Sequence, residues 1–319
     1  MLRTLFNAAL ALALVFAVQP AIAQAGSKAV RLVVPTPPGG ASDTAARTLA
    51  PALAKGLGQP VIVENRPGAG GALAAQAVMT AAPDGQTLLW GLASMAGLPA
   101  LQKTPPFKSM TELVPVAMVG RFAFGLFVHP DVPARTVAEL ITYGRANPDK
   151  LNYATGTLGE YMAMVQLLAA TGISSLRVPY KGGVQLMPDL MTGRIQLNIG
   201  PVSSGLQHVK DGKLRMLAVL LPSRIGIAPD VPTLAESGVP ISGLPTWQAI
   251  FAPPGTPPVV AERVNREVAR ALADPELRGK LEQQALQVQS GTREDLAKVV
   301  AQDEEVWRVF VRENNVPRE

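Results

Sequence analysis

Cysteine is absent from this chain of 319 residues, histidine occurs twice, and aromatic residues make up 5%. Each shortage removes a class of chemistry. Without cysteine there is no disulfide, no thiol nucleophile and no lipobox, so the core alone must hold the fold. His129 and His208 stand apart with no clustered carboxylates beside them, too few for a transition-metal shell. His129-Pro130-Asp131 lies at an expected strand end with no G-x-S-x-G elbow to serve, and His208 sits on an expected helix. Catalysis has little footing here. The formal charge is +5, yet the basic residues are scattered and not interleaved with aromatics, which argues against nucleic acid. The sign suits an anionic ligand.

Long apolar runs are confined to the N-terminus. Arg3, the stretch Leu5 to Val18, and Ala21-Ile22-Ala23 ahead of Gln24 follow the order of a secretory signal. The apolar stretch of about 14 residues falls short of the ~20 that a spanning helix needs. The mature protein is therefore expected in the periplasm, cleaved near Ala23, with residues 1–23 outside the fold. Mass spectrometry of native exported protein should find Gln24 at the N-terminus; retention of Met1 to Ala23 would contradict this. About 295 residues then remain, enough for two lobes.

What the chain does have is alternation. Val30-Arg31-Leu32-Val33-Val34 is short, β-branched and nearly all apolar, as in a strand covered on both faces. Pro35-Thr36-Pro37-Pro38-Gly39-Gly40 continues neither strand nor helix and must turn. Ser42 or Asp43 is the expected cap of a helix carrying Ala46, Leu49, Ala50 and Leu53 on one face. Bare amides of Gly39 and Gly40 at that helix start would form an anion site for a carboxylate or phosphate. Further strands are expected at Val61 to Glu64, Gln86 to Leu92 and Phe122 to Val128, with a helix from Ala72 to Ala81. The pattern restarts near Pro130. A strand from Leu151 to Ala154, the turn Thr155-Gly156-Thr157-Leu158-Gly159 and a helix from Glu160 echo the first unit. Such alternation argues two α/β lobes, each a mainly parallel sheet flanked by helices, with the two glycine turns facing one cleft.

Two other glycine runs are ambiguous or ordinary. Gly68-Ala69-Gly70-Gly71 lacks the G-x-G-x-x-G spacing, since position 73 is leucine, and reads as a structural turn. No cofactor is expected. Tyr180-Lys181-Gly182-Gly183 suits a surface turn and a cleft loop equally. The C-terminal helices, with Val260, Val264, Val268 and Leu272 and then Leu296, Val299, Val300, Trp307 and Phe310, read as core.

Several segments together resemble one family. Pro37-Pro38-Gly39-Gly40 with Asp43 is similar to the P-G-G-x-x-D loop of the Bug-type solute receptors of tripartite tricarboxylate transporters. Val63 to Gly71, Ala82 to Leu89, Val178 to Gly182, Pro229 to Gly238 and Phe251 to Pro257 resemble later signatures of that family. The resemblance implies a type II-like two-lobed periplasmic binding protein with no enzymatic activity, cofactor or metal. It also implies a small organic carboxylate in the interlobe cleft, membrane transporter subunits as partners, and a monomer. Residues 24–125 and 250–319 would form lobe 1 and residues 126–249 lobe 2, with hinge strands near Phe124–Val128 and Trp247–Ala252. Carried over, the ligand loops are Pro38, Gly39, Gly40, Ala41, Ser42 and Asp43, and Thr155, Gly156, Thr157, Leu158 and Gly159. Ser94, Tyr180, Gly182, Pro201 and Trp247 complete the expected site.

The second loop departs from the family, with Leu158, Glu160, Tyr161 and Met162 in place of small polar residues, and Gly200-Pro201 replaces Phe-Asp. These departures point to a ligand with an apolar or aromatic body toward Leu158, Trp247 forming a wall. A sensory receptor serving a membrane kinase, and a hydrolase or lyase of the same acids, are the alternatives.

Overall fold

The computed structural model describes residues 28–148, 150–221, 223–239 and 244–318; the expected signal segment lies outside them. The chain begins as the alternation requires. It runs through β1 (Val30–Val34), α1 (Ala41–Leu57), β2 (Val61–Asn65), α2 (Ala72–Met79), β3 (Thr87–Leu92), α3 (Leu98–Leu101) and β4 (Val114–Phe122). A second group follows: β5 (Phe124–Val128), α4 (Val137–Ala146), β6 (Asn152–Thr155), α5 (Leu158–Thr171), β7 (Leu176–Pro179), α6 (Gly183–Met191), β8 (Leu197–Pro201), α7 (Val202–Lys210) and β9 (Arg215–Val219). The return comprises β10 (Trp247–Ala252), α8 (Pro258–Leu272), α9 (Pro275–Gln283), β11 (Leu286–Val288) and α10 (Arg293–Glu313).

Two sheets result, ordered β11-β4-β10-β3-β1-β2 and β7-β6-β8-β5-β9. The two-lobed α/β architecture is as expected, but the sheets are mixed rather than mainly parallel. β1 pairs parallel with β2 and β3, and β6 with β7 and β8, whereas the pairs made by β4, β5 and β10 are antiparallel. Those three strands lead into or out of the crossings between lobes, so they run against the βαβ units. The first crossing is at Ala123, where β4 leaves one sheet and β5 enters the other. The second lies between Val219 and Trp247, so β10 belongs wholly to the six-stranded sheet.

β2-β1-β3 and β7-β6-β8 have the same order, and in each the central strand feeds a helix across a glycine turn. Crevices beyond the carboxyl ends of such strands, at the switch point of the order, are where α/β sheets bind ligands. The two turns therefore come from equivalent places in the two lobes. α10 fastens the C-terminus by burying Leu296, Val300, Trp307 and Phe310, each contributing about 1.5–3 kcal/mol on full burial. Among the described residues no helix is long and apolar enough to cross a membrane.

Candidate functional site

The first turn is braced from inside the helix that it opens. Gly40, with φ −71°, is the N-cap residue, and neither Ser42 nor Asp43 caps. Asp43 sits in the first helical turn and reaches back, its Oδ2 accepting the Gly39 amide at 2.8 Å. Its Oδ1 accepts Asn65 Nδ2 at 2.8 Å and Arg47 Nε at 3.0 Å. Gly39 takes φ +80°, the left-handed conformation that favours glycine. The Gly40 amide donates to Pro37 O at 3.2 Å. Both glycine amides are therefore occupied, contrary to the sequence expectation. The amides of Ala41, Ser42 and Asp43 have no intramolecular acceptor among the described residues. Burial would raise the Asp43 carboxyl, but the bonds from Arg47, Gly39 and Asn65 outweigh it and hold the pKa below the ordinary value.

The second turn repeats the device. Thr157 is the N-cap of α5 and its Oγ1 accepts the Glu160 amide at 3.2 Å. Glu160 Oε2 accepts the Gly156 amide at 2.6 Å, four residues back, as Asp43 does for Gly39. The amides of Leu158 and Gly159 are left without an acceptor among the described residues. Glu160 is 1% exposed, and burial pushes its carboxyl up to about 7 despite bonds from Gly156, Asn198 and Thr157.

Between the turns lies a cavity of about 180 Å³. Thr36, Gly68 to Gly71 and Leu92 line it from one lobe; Thr155 to Leu158, Arg177, Tyr180 and Lys181 line it from the other. Arg177 Nε donates to Thr155 Oγ1 at 3.1 Å, and its guanidinium lies 4.1 Å from the Tyr161 ring centroid. Tyr180 Oη donates to Asp189 Oδ2 at 2.6 Å. A smaller hollow of about 40 Å³ adjoins at Leu92 and Thr157, lined in part by Ser42, Ser94, Gly159, Glu160, Pro201 and Gln248. Ser42 Oγ donates to Gln248 Oε1 at 3.0 Å there.

The lobes touch around these hollows. A Cβ on Gly182 would stand 2.6 Å from Pro37 Cδ, and one on Gly70 2.8 Å from Leu158 Cδ1. Tyr161 meets Phe310 edge-to-face at 6.4 Å. This is a closed arrangement.

Of the expected site residues, Ser42, Ser94, Thr155, Gly156, Thr157, Leu158, Gly159, Tyr180 and Pro201 line one or both hollows. Pro38, Gly39, Gly40, Ala41 and Asp43 do not; they shape the turn behind the wall. Gly182 marks a contact between lobes. Trp247 is a correction: it is fully buried and its Nε1 donates to Asp303 at 2.6 Å, so its neighbour Gln248 faces the cleft instead. Gly68 to Gly71, expected as a structural turn only, also belong to the wall. Arg177, Lys181, Glu160 and Gln248 were missed. An acid four residues after a turn glycine, as in both Gly39/Asp43 and Gly156/Glu160, was a readable signal for Glu160.

Residues 45–316 match the model of the tripartite tricarboxylate transporter family receptor, TctC. The chain belongs to that family. A UPF0065 protein in the tcbD-tcbE intergenic region of Pseudomonas sp. (strain P51) is 34% identical over 290 residues, covering 90% of this chain and 86% of that protein. The periplasmic binding protein BugD superposes with a TM-score of 0.85 at 30% identity, over 91% of this chain and 99% of that one. Rpa4515 of R. palustris, solved with adipate, superposes with a TM-score of 0.86 at 29% identity, over 91% and 98%. The family is one of solute-binding receptors, and this chain is a two-lobed receptor of that kind.

Proposed function

We propose that this receptor works in the periplasm, closes over a small organic dicarboxylate and presents it to the membrane subunits of a tripartite transporter. One observation carries the ligand class: Leu158 and Gly159, with unpaired amides at one helix start, and Ser42 from the helix start of the opposite lobe border two adjoining hollows, and Arg177 and Lys181 line the larger of them. Helix N-termini favour anions, and a second carboxylate pairs with the cationic wall. An apolar body fits less well, because Leu158 is spent against Gly70 and Trp247 lies in the core. The match to a relative solved with adipate, itself a dicarboxylate, supports the reading, and the family description supports the transporter partner. Charge-assisted bonds of ~1.5–3 kcal/mol each make a micromolar complex, about −8 kcal/mol, accessible after association costs.

The test is a thermal-shift panel on protein refolded from denaturant. A C4–C6 dicarboxylate at a hundred times its Kd should stabilise the fold by about 2.7 kcal/mol. A larger shift with benzoate or a medium-chain monocarboxylate would restore the apolar-bodied ligand.

A further inference from the structure

The main hollow has a second neighbour, on the side away from Ser42. This hollow of about 60 Å³ shares Ala69, Gly70, Leu158 and Arg177 with the main one. Residues common to both form the wall between them. Leu158 fills that wall. Its Cδ1, Cγ and Cδ2 lie 2.8, 3.0 and 3.5 Å from the point where a Cβ on Gly70 would stand, so its side chain is seated on the bare glycine backbone of the opposite lobe.

The far hollow is walled on its other sides by Leu101 and Gln102 of one lobe, Tyr161 of the other, and Val316 and Pro317 of the C-terminal tail. Hydrogen bonds pin these pieces: Gln102 Nε2 donates to Ala69 O at 2.8 Å, the Val316 amide to Val311 O at 3.0 Å, and Arg318 Nε to Ala100 O at 3.1 Å. At ~10–15 Å³ of such volume per water, the space holds a few waters against a largely apolar lining. Methylene groups can displace waters of that kind at a gain. Arg177 serves both sides of the wall: it lines the main hollow, and its guanidinium lies 4.1 Å from the centroid of Tyr161, which lines the far hollow and not the main one.

We propose that Leu158 sets the length of the ligand, its side chain ending the main hollow and shutting off a subsite beyond it, at Tyr161, Leu101 and Val316, that takes the added methylenes of a longer straight-chain dicarboxylate once the partition is opened. The inference rests on the dicarboxylate reading above. A short diacid stops at Leu158 with its distal carboxylate toward Arg177 and Lys181. A longer one presses on the contact between Leu158 and Gly70, and because that contact joins the two lobes, the extra chain opposes closure. The two halves of Leu158 act separately. Its amide is among those left for the anion at the start of α5, and its side chain makes the partition. Alanine at this position keeps the amide and takes three carbons out of the wall.

The experiment is calorimetry of the refolded wild type, Leu158→Ala and Leu158→Met with straight-chain dicarboxylates from succinate (C4) to sebacate (C10). Loss of a lobe contact weakens every acid alike, so the readout is the preferred chain length rather than the affinity itself. Wild-type affinity should pass through a maximum and fall at least about tenfold over the next two methylenes, as misfit of one methylene in an apolar pocket is worth about 10–200-fold. Leu158→Ala should move the maximum to acids at least two carbons longer. Leu158→Met, which refills the wall at similar volume, should keep the wild-type maximum. Wild-type protein that binds all lengths alike overturns the proposal and leaves the receptor reading standing. So does an alanine variant that keeps the wild-type maximum or binds nothing, or a methionine variant shifted as far as the alanine one. If no acid of the series binds any of the three proteins, the dicarboxylate reading fails and the length limit with it.

Discussion

Replacing Gly182 with alanine weakens ligand binding by about 5- to 150-fold while leaving the unfolding of ligand-free protein nearly unchanged. The added methyl would stand 2.6 Å from Cδ and 3.0 Å from Cγ of Pro37 on the opposite lobe. A proline ring cannot swing aside as a long side chain would, and the Gly39–Asp43 bond holds its loop. Overpacking of this kind costs about 1–3 kcal/mol, which the closed state alone bears. Gly182 has φ 166°, extended backbone that alanine adopts freely, so the open lobes lose nothing. Calorimetry gives the affinity and thermal scans give the stability. Unchanged affinity would show that Pro37 and Gly182 do not meet in the bound form.

Asp43→Ala destabilises the protein by about 2–3 kcal/mol at neutral pH, because the Gly39 amide, Asn65 and Arg47 all lose an acceptor together. The effect is pH-dependent with a definite sign. The folded-state pKa of Asp43 lies below its unfolded value, so the unfolded chain binds more protons between the two. The stability contributed is complete above the ordinary 3.8 and is lost as pH falls through the folded value. Urea midpoints of wild type and variant should therefore differ at pH 7 and converge in acid. A gap of equal size at pH 7 and pH 3 would remove the carboxylate from this role.

The strand–turn–helix units were legible because three signals coincide in each: a β-branched run, glycines that break it, and an apolar helical face. The capping box that opens α10 joins Thr292 and Asp295, three residues apart. β4 was not legible, since Pro115 and Gly120 interrupt its pattern, and the expected strand from Phe122 is in fact the joint between two sheets at Ala123. Side-chain phase was lost where a strand is buried on both faces. All six residues of β10 are buried, so nothing in Trp247-Gln248-Ala249 tells which points to the cleft. Amide occupancy was also hidden. That Gly39 and Gly40 are satisfied follows from a side chain reaching back four residues, which composition does not reveal. Asp274-Pro275 ends the pattern of α8 and starts α9, with Asp274 accepting the Glu276 and Leu277 amides.

Calorimetric titration of refolded protein with C4–C6 dicarboxylates, adipate and malate among them, is the most direct test of an anion receptor closing on two opposed helix ends. One ligand per chain at micromolar affinity, lowered in Gly182→Ala, is the predicted result. Absence of binding heat for every dicarboxylate, or saturation that Gly182→Ala leaves untouched, would contradict it.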